Sequence, residues 1–322
     1  MNLKIIDLYK LLLSALVVAI HTKFGMVNPF FEFWCSTAVA TFFAFSGYLI
    51  HLKIQENGGG YLLKYAKKTI KLYCIWIAIY TPLSLLYCYV DVSGFWPSFS
   101  EELLSIVFQG KNHMSWQLWY IHALFISVIF IWILYKARLN DIAISIVAVL
   151  LTIIAYLFED FENIVNSGYE LPKNFFMLNY LLSLQIKSRL IAAMGFIITG
   201  FMIHKYEATM KSHSFIFLLF FFASIILAYF HYPFAMHSTI FCLMVLLLNL
   251  QISNKMNTKW MRDISSLIFF THMLCYSLIR FTIGIPESRV LFFSMTFGFS
   301  ILLSSVLLCL MKYVSLLRNL LG

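Results

Sequence analysis

The chain has 322 residues, of which 61% are hydrophobic and 11% charged, and its mean hydropathy is +0.86. An ordinary soluble domain has about 25% charged residues, so this composition excludes a soluble globular protein and predicts an all-α polytopic membrane protein in contact with the lipid bilayer. The formal net charge of +9 would suit a nucleic-acid-binding protein, but the positions of the basic residues indicate membrane topology instead, and we expect no nucleic-acid partner.

Ten mostly apolar segments reach the roughly 17–25 residues of a membrane-spanning helix. We therefore predict a polytopic bundle of about ten transmembrane helices, which forms a single domain over residues 1–322. The predicted spans, in chain order, are residues 5–22, 33–52, 70–90, 115–135, 141–158, 186–204, 213–230, 235–251, 264–283 and 290–313.

The basic residues favour one orientation of these spans. With the N-terminus inside, the inner segments hold fifteen of the 23 Lys and Arg residues, and the outer loops and outer helix ends hold seven. Because cytoplasmic loops of membrane proteins carry an excess of Lys and Arg, both termini are predicted to be cytoplasmic. The inner stretches 53–71 and 255–262 are basic enough to attract anionic phosphates.

The first span contains the sequence KLLLSALVVAIH, which places Lys10 and His21 eleven residues apart. Eleven residues are about three helical turns, so both side chains lie on one face, and Asp7 and Ser14 fall near the same stripe. Charged groups inside a span usually face a bundle interior or a water-filled cavity. The alternative is that Lys10 snorkels to the inner surface and His21 is merely interfacial.

Four further spans contain polar or amphipathic residues that lipid contact alone does not explain. Each has a structural alternative: close helix packing for Ser46, an aromatic belt for the Trp and Tyr residues, a boundary anchor for Arg189, and a packed, hydrogen-bonded side chain for His272. The segments are TFFAFSGYLIHL with Ser46 and Gly47, SWQLWYIHALF with Trp116, Trp119 and Tyr120, KSRLIAAMG with Arg189, and SSLIFFTHML with His272.

Taken in order, four features resemble the acyltransferase 3 family: the basic-x10-His spacing, FFxxSGY, LWYIxAL, and a late aromatic-rich segment containing histidine. The resemblance covers nearly the whole chain. It implies a bacterial inner-membrane, multi-pass O-acyltransferase of surface carbohydrates, with acyl-CoA, most often acetyl-CoA, as the donor substrate and no permanently bound cofactor. Gln117 stands where some relatives carry histidine. The acceptor is expected to be a carbohydrate or lipid-linked carbohydrate, such as O-antigen, capsule or exopolysaccharide.

The same resemblance assigns roles to individual residues. It implies that His21 and Lys10 are catalytic. His21 would activate the acceptor hydroxyl or briefly carry the acyl group, and Lys10 would contact coenzyme A or polarise the acyl carbonyl. Residues expected to bind donor or acceptor are Asp7, Ser46, Trp116, Trp119, Tyr120, Arg189 and His272. No His, Cys or Asp spacing resembles a zinc site, so no metal is predicted.

Two other functions remain open at this point. Intramembrane charges fit a transporter of a small metabolite or lipid-linked sugar equally well, although no inverted repeat or pair of broken helices is recognisable. The chain could also be a sensory or regulatory membrane protein with an acyltransferase-like body. Dependence on coenzyme A would distinguish the transferase from the transporter.

Overall fold

The computed structural model describes residues 3–91, 94–167, 188–230, 234–250, 252 and 256–321. Every regular element in this part of the chain is helical, which confirms the predicted all-α class. The α-helices are α1 Lys4–His21, α2 Pro29–Asn57, α3 Gly60–Val90, α4 Phe95–Leu104, α5 Trp119–Lys136, α6 Asp141–Asn166, α7 Ser188–Lys205, α8 Glu207–Ser212, α9 Ser214–Tyr229, α10 Ala235–Asn249, α11 Lys259–Thr282 and α12 Arg289–Tyr313.

Each of the ten predicted spans overlaps one of these helices. Within the described residues, six are long and apolar enough to cross a membrane, namely α2, α3, α5, α6, α11 and α12, and α9 and α10 are shorter apolar helices. Helix α1 lies outside both groups because its 18 residues include Lys4, Asp7 and Lys10. The protein is therefore a polytopic helical membrane protein, and the orientation of its termini stays a prediction.

The helices differ in how much of their surface the protein covers. In α2 and α11 most of the apolar stretch is buried, 72% and 61% of it, whereas the corresponding shares in α6 and α12 are 17% and 22%. Large apolar side chains such as Ile142 on α6 and Phe215 on α9 are more than 70% exposed. Surfaces of this kind suit contact with lipid, because lipid tails cover apolar side chains that water would not.

The chain divides into two compact units, and the division falls within α2 and α7. The first unit, residues 1–51 and 200–322, contains α1, which packs mainly against α11 and also contacts α12. Two helix pairs, α9 with α10 and α11 with α12, complete the unit's main contacts. Polar side chains join each pair: Thr239 donates a 3.0 Å hydrogen bond to Ser224, and the hydroxyls of Thr271 and Ser304 lie 3.4 Å apart.

The second unit, residues 52–199, is organised around the packing of α3 on α5. Helix α4 continues into a π-helical turn, Ser105–Gln109, which ends at Gly110 with a φ of 72°. A Cβ on Gly110 would lie 2.3 Å from the Cβ of His122 on α5. Glycine is therefore required here both for the left-handed backbone and for the close approach of the turn to α5.

Candidate active site

The polar stripe of α1 has its two ends in different surroundings. Lys10 and His21 are both half-buried, and Ser14 between them is fully buried and donates a 2.7 Å hydrogen bond to the carbonyl oxygen of Leu11. The rise of an α-helix places the two ends of the stripe about 16 Å apart. Helix α1 ends at His21, and Lys23 then adopts a left-handed backbone with a φ of 56°.

The imidazole of His21 lies against the imidazole of His272 on α11. The ring centroids are 5.1 Å apart, and the ring planes are inclined by 37°. The two histidines are 251 residues apart in the chain, so the packing of α1 on α11 brings together two residues that the sequence singled out separately. This contact is the centre of the candidate active site.

The hydrogen bonding of His272 fixes its tautomer. The side chain has no exposed surface, and its Nδ1 lies 3.0 Å from the carbonyl oxygen of Ile268. A carbonyl oxygen only accepts hydrogen bonds, so Nδ1 carries the proton and Nε2 carries a lone pair. Within the described residues, Nε2 is buried without a hydrogen-bond partner. A buried acceptor without a partner needs an explanation, and a catalytic role beside a second imidazole is one.

Ser46 lies on α2 in the same unit. Its side chain is buried, and its hydroxyl donates a 2.9 Å hydrogen bond to the carbonyl oxygen of Phe42 one turn earlier. Phe42 contacts Phe269 on α11 at a ring-centroid distance of 6.3 Å. This turn of α2 therefore packs toward the helix that carries His272. The hydrogen bond to Phe42 agrees with a packing role for Ser46, and its role in substrate binding stays a prediction.

At the other end of the stripe, Asp7 faces the beginning of α11. Its carboxylate accepts a 2.8 Å hydrogen bond from the hydroxyl of Thr258, which precedes α11. Asp7 and Arg262 are the charged groups that act electrostatically on Lys10. Together these contacts make the start of α1 a charged region, and Asp7 helps to hold α1 against α11.

The second unit places Arg189 over the ring of Trp119, with the guanidinium carbon 4.6 Å from the ring centroid. Within the described residues, Nε and Nη2 of Arg189 are buried without hydrogen-bond partners. Glu162 on α6 acts electrostatically on Arg189 and also accepts a 2.8 Å hydrogen bond from the hydroxyl of Ser188. A cation packed on an aromatic ring with unused donors is a candidate site for an anionic or strongly polar group.

The other residues of the LWYIxAL region have separate surroundings. Tyr120 is buried, whereas Trp116 is about half exposed and has the ammonium of Lys111 5.7 Å from its ring centroid. Gln117 is buried and donates a 2.9 Å hydrogen bond to the hydroxyl of Tyr80 on α3. Gln117 therefore joins the turn before α5 to α3.

The structure thus groups the predicted residues by unit. Those of the first unit are Asp7, Lys10, His21, Ser46 and His272, and those of the second are Trp116, Trp119, Tyr120 and Arg189. In the described part of the chain, no group of three or more His, Cys, Asp or Glu side chains is placed to hold a metal ion.

One polar cluster in the first unit was missed by the sequence analysis. Nδ1 of His51 lies 2.6 Å from Nδ1 of His204, and the hydroxyl of Tyr48 donates a 2.6 Å hydrogen bond to Glu207. Burial alone would raise the pKa of the Glu207 carboxyl, but hydrogen bonds from Lys211 and Tyr48, together with the charges of Lys211 and His204, lower the pKa below its ordinary value of 4.5. The partners are more than 150 residues apart, so no spacing in the sequence indicated the pairing.

Comparison with known proteins identifies the family of the chain. A family model described as an acyltransferase domain matches residues 3–313, nearly the whole chain. No curated protein and no solved structure matches the chain. The match includes α1 with the Lys10–His21 stripe and α11 with His272. The chain belongs to the acyltransferase 3 family and is a multi-pass membrane acyltransferase.

Proposed function

We propose that this acyltransferase moves an acyl group, with acetyl as the expected group, from acyl-CoA to a hydroxyl of a cell-surface carbohydrate or its lipid-linked precursor in the bacterial inner membrane. The observation that carries the proposal is the contact between His21 and His272 at one end of the charged stripe of α1. The family match favours this function over a transporter or a sensor, because it covers α1, α2, α5 and α11 together.

The chemistry needs a base at the acceptor hydroxyl, and His21 supplies it. Its imidazole removes the hydroxyl proton while the oxygen attacks the thioester carbonyl carbon. The tetrahedral intermediate then collapses, the carbon–sulfur bond breaks, and the imidazolium of His21 returns the proton to the coenzyme A thiolate. The products are the ester and coenzyme A, and no covalent acyl-enzyme is needed.

His272 acts on His21 as a positioning residue. Its Nδ1–H is held by Ile268, so Nε2 keeps a lone pair next to the His21 ring. During the reaction His21 donates a hydrogen bond to this nitrogen. That bond orients the base and stabilises the imidazolium, in the way that a third group orients the base in other nucleophile–base pairs.

Lys10 acts on the donor. The separation of about 16 Å between Lys10 and His21 along α1 is too large for both to contact one carbonyl group. Of the two roles considered for Lys10, contact with coenzyme A is therefore the one compatible with His21 acting at the acyl carbon.

The experiment is deletion of the gene in its host, followed by complementation and analysis of purified surface glycans by mass spectrometry and NMR. Loss of an ester-linked acyl group on deletion, with rescue by the wild type, is expected, and the spectra identify the acyl group and the sugar. An ester profile that deletion leaves unchanged would exclude a surface carbohydrate as the acceptor. Purified protein that releases no coenzyme A from acyl-CoA with the identified acceptor would exclude acyl-CoA as the donor.

A further inference from the structure

A cleft of about 440 Å³ lies where α1 and α11 begin, both within the first unit. This volume falls in the range of small-molecule sites. Three of its lining side chains are cationic and one is acidic, so the lining has a net charge of +2. The lining residues are Lys4, Asp7, Met256, Asn257, Thr258, Lys259 and Arg262.

The acidic residue of the cleft already has a partner. The hydroxyl of Thr258 donates a hydrogen bond to Asp7. Thr258 directly precedes α11, but its side chain makes no capping hydrogen bond to that helix. The positive end of the α11 dipole therefore adds to the field of the cationic side chains at this cleft. Lys259 and Arg262 are exposed, and they project from the first turn of α11.

We propose that this cleft binds the phosphorylated nucleotide end of coenzyme A, an assignment that rests on the proposed acyl-CoA dependence. Lysine and arginine complement phosphate oxygens, and a helix N-terminus favours the same anionic group. Lys4, Lys259 and Arg262 are the residues that bind the phosphates. Lys10 follows Asp7 by three residues on α1 and therefore lies between the cleft and His21 along that helix.

The length of the donor agrees with this placement. Asp7 and His21 are fourteen residues apart, which is about 21 Å along α1. The arm of coenzyme A between its diphosphate and its sulfur has about twelve bonds, and an extended chain of that length spans about 14 Å at the spacing of an extended backbone. The diphosphate and the acyl group extend the arm at its two ends toward the remaining separation of about 7 Å.

The test measures binding rather than turnover. The full chain is purified in nanodiscs of neutral lipid, and the Kd for coenzyme A is measured by calorimetry for the wild type and for the double variant Lys259→Gln/Arg262→Gln. We expect Kd to rise about tenfold or more, because two charge-assisted hydrogen bonds are lost. The matched control is Lys312→Gln, which removes an exposed charge of the same unit outside the cleft and should leave Kd within about twofold of the wild type.

A charge-keeping variant separates binding from folding. Lys259→Arg/Arg262→Lys should retain most of the affinity. An equal loss of affinity in both double variants would overturn the assignment, because it would show that the positive charges are not what is recognised. An unchanged Kd in the glutamine variant would also overturn it and would leave the proposed function standing.

The same phosphate-binding chemistry could serve an anionic lipid headgroup. If it does, phosphatidylglycerol nanodiscs will raise the Tm of the wild type but not that of the glutamine variant. The variant will then keep the wild-type Kd for coenzyme A, and the assignment fails. Wild-type protein that does not bind coenzyme A at all would overturn both this assignment and the acyl-CoA dependence. The two failures are therefore distinguishable.

Discussion

Substitution of Gly200 by alanine tests how closely α2 and α7 pack within the first unit. A Cβ at position 200 would lie 1.8 Å from the carbonyl oxygen of Ala44 and 2.6 Å from its carbonyl carbon. Real Cβ contacts are essentially never shorter than 3.0 Å, so the backbones must separate by about 1.2 Å. The obstructing atoms belong to the backbone, and no change of side-chain rotamer relieves the contact.

The expected cost is that of an overpacked core, about 1–3 kcal/mol. The hydrogen bonds between Tyr48 and Glu207 and between His51 and His204 join the same region, so a displaced α2 also stretches them. A loss of this size corresponds to a fall in Tm of several degrees for a chain longer than 150 residues.

The assay is thermal unfolding in one detergent at one scan rate, with Gly298→Ala as the matched control. Gly298 lies within α12, and a Cβ there would meet no atom within 4 Å. Its substitution should leave Tm unchanged or raise it slightly, because alanine restricts the unfolded chain. A Gly200→Ala variant as stable as the Gly298→Ala variant would refute the close approach of α2 to α7.

Three further predictions concern polar contacts. Tyr48→Phe removes the hydrogen bond to the Glu207 carboxylate. The free energy of unfolding should fall by about 1.5–3 kcal/mol, the range for hydrogen bonds to charged groups. Thermal unfolding will detect this loss, and an unchanged Tm would contradict the contact. Glu207 has a lowered pKa, so the stability that its carboxylate contributes is present above pH 4.5 and is lost as the pH falls through the pKa of the folded state. The Tm difference between wild type and Glu207→Gln should therefore shrink below about pH 4.5. A constant difference would argue against the ionised pair. Trp119→Leu removes the ring under Arg189 and should lower the free energy of unfolding by up to about 2 kcal/mol. Trp119→Phe keeps an aromatic ring and should retain part of this stabilisation. Equal Tm values for the two variants would argue against a cation–π contact.

Much of the helical architecture followed from hydrophobicity alone. Each predicted span overlaps a helix because a bilayer requires long apolar helices whatever their neighbours are. The boundaries were less accurate: α3 begins at Gly60 rather than at residue 70, since the basic residues of its first turns are polar yet helical. Length and composition could not show which helices are central, because that depends on packing.

The site residues were found one helix at a time, and their grouping was not. Helical periodicity placed Lys10 and His21 on one face of α1, and the polarity of His272 within an apolar helix marked it as unusual. The contact between His21 and His272 depends on the packing of α1 against α11, which no local pattern encodes. The His51–His204 contact and the cleft at Asp7 and Thr258 are likewise tertiary features.

The most direct test of the account measures ester-linked acyl groups on surface glycans in cells that express His21→Ala, His272→Gln or both, at matched protein levels. Loss of a general base typically costs about 10²–10⁴ in rate, so His21→Ala should reduce acylation at least about a hundredfold. The double variant should be no worse than His21→Ala, because residues that act as a unit are not additive. His213→Ala, which changes an exposed histidine of the same unit, is the control and should acylate normally. Full acylation by His21→Ala would contradict the central claim.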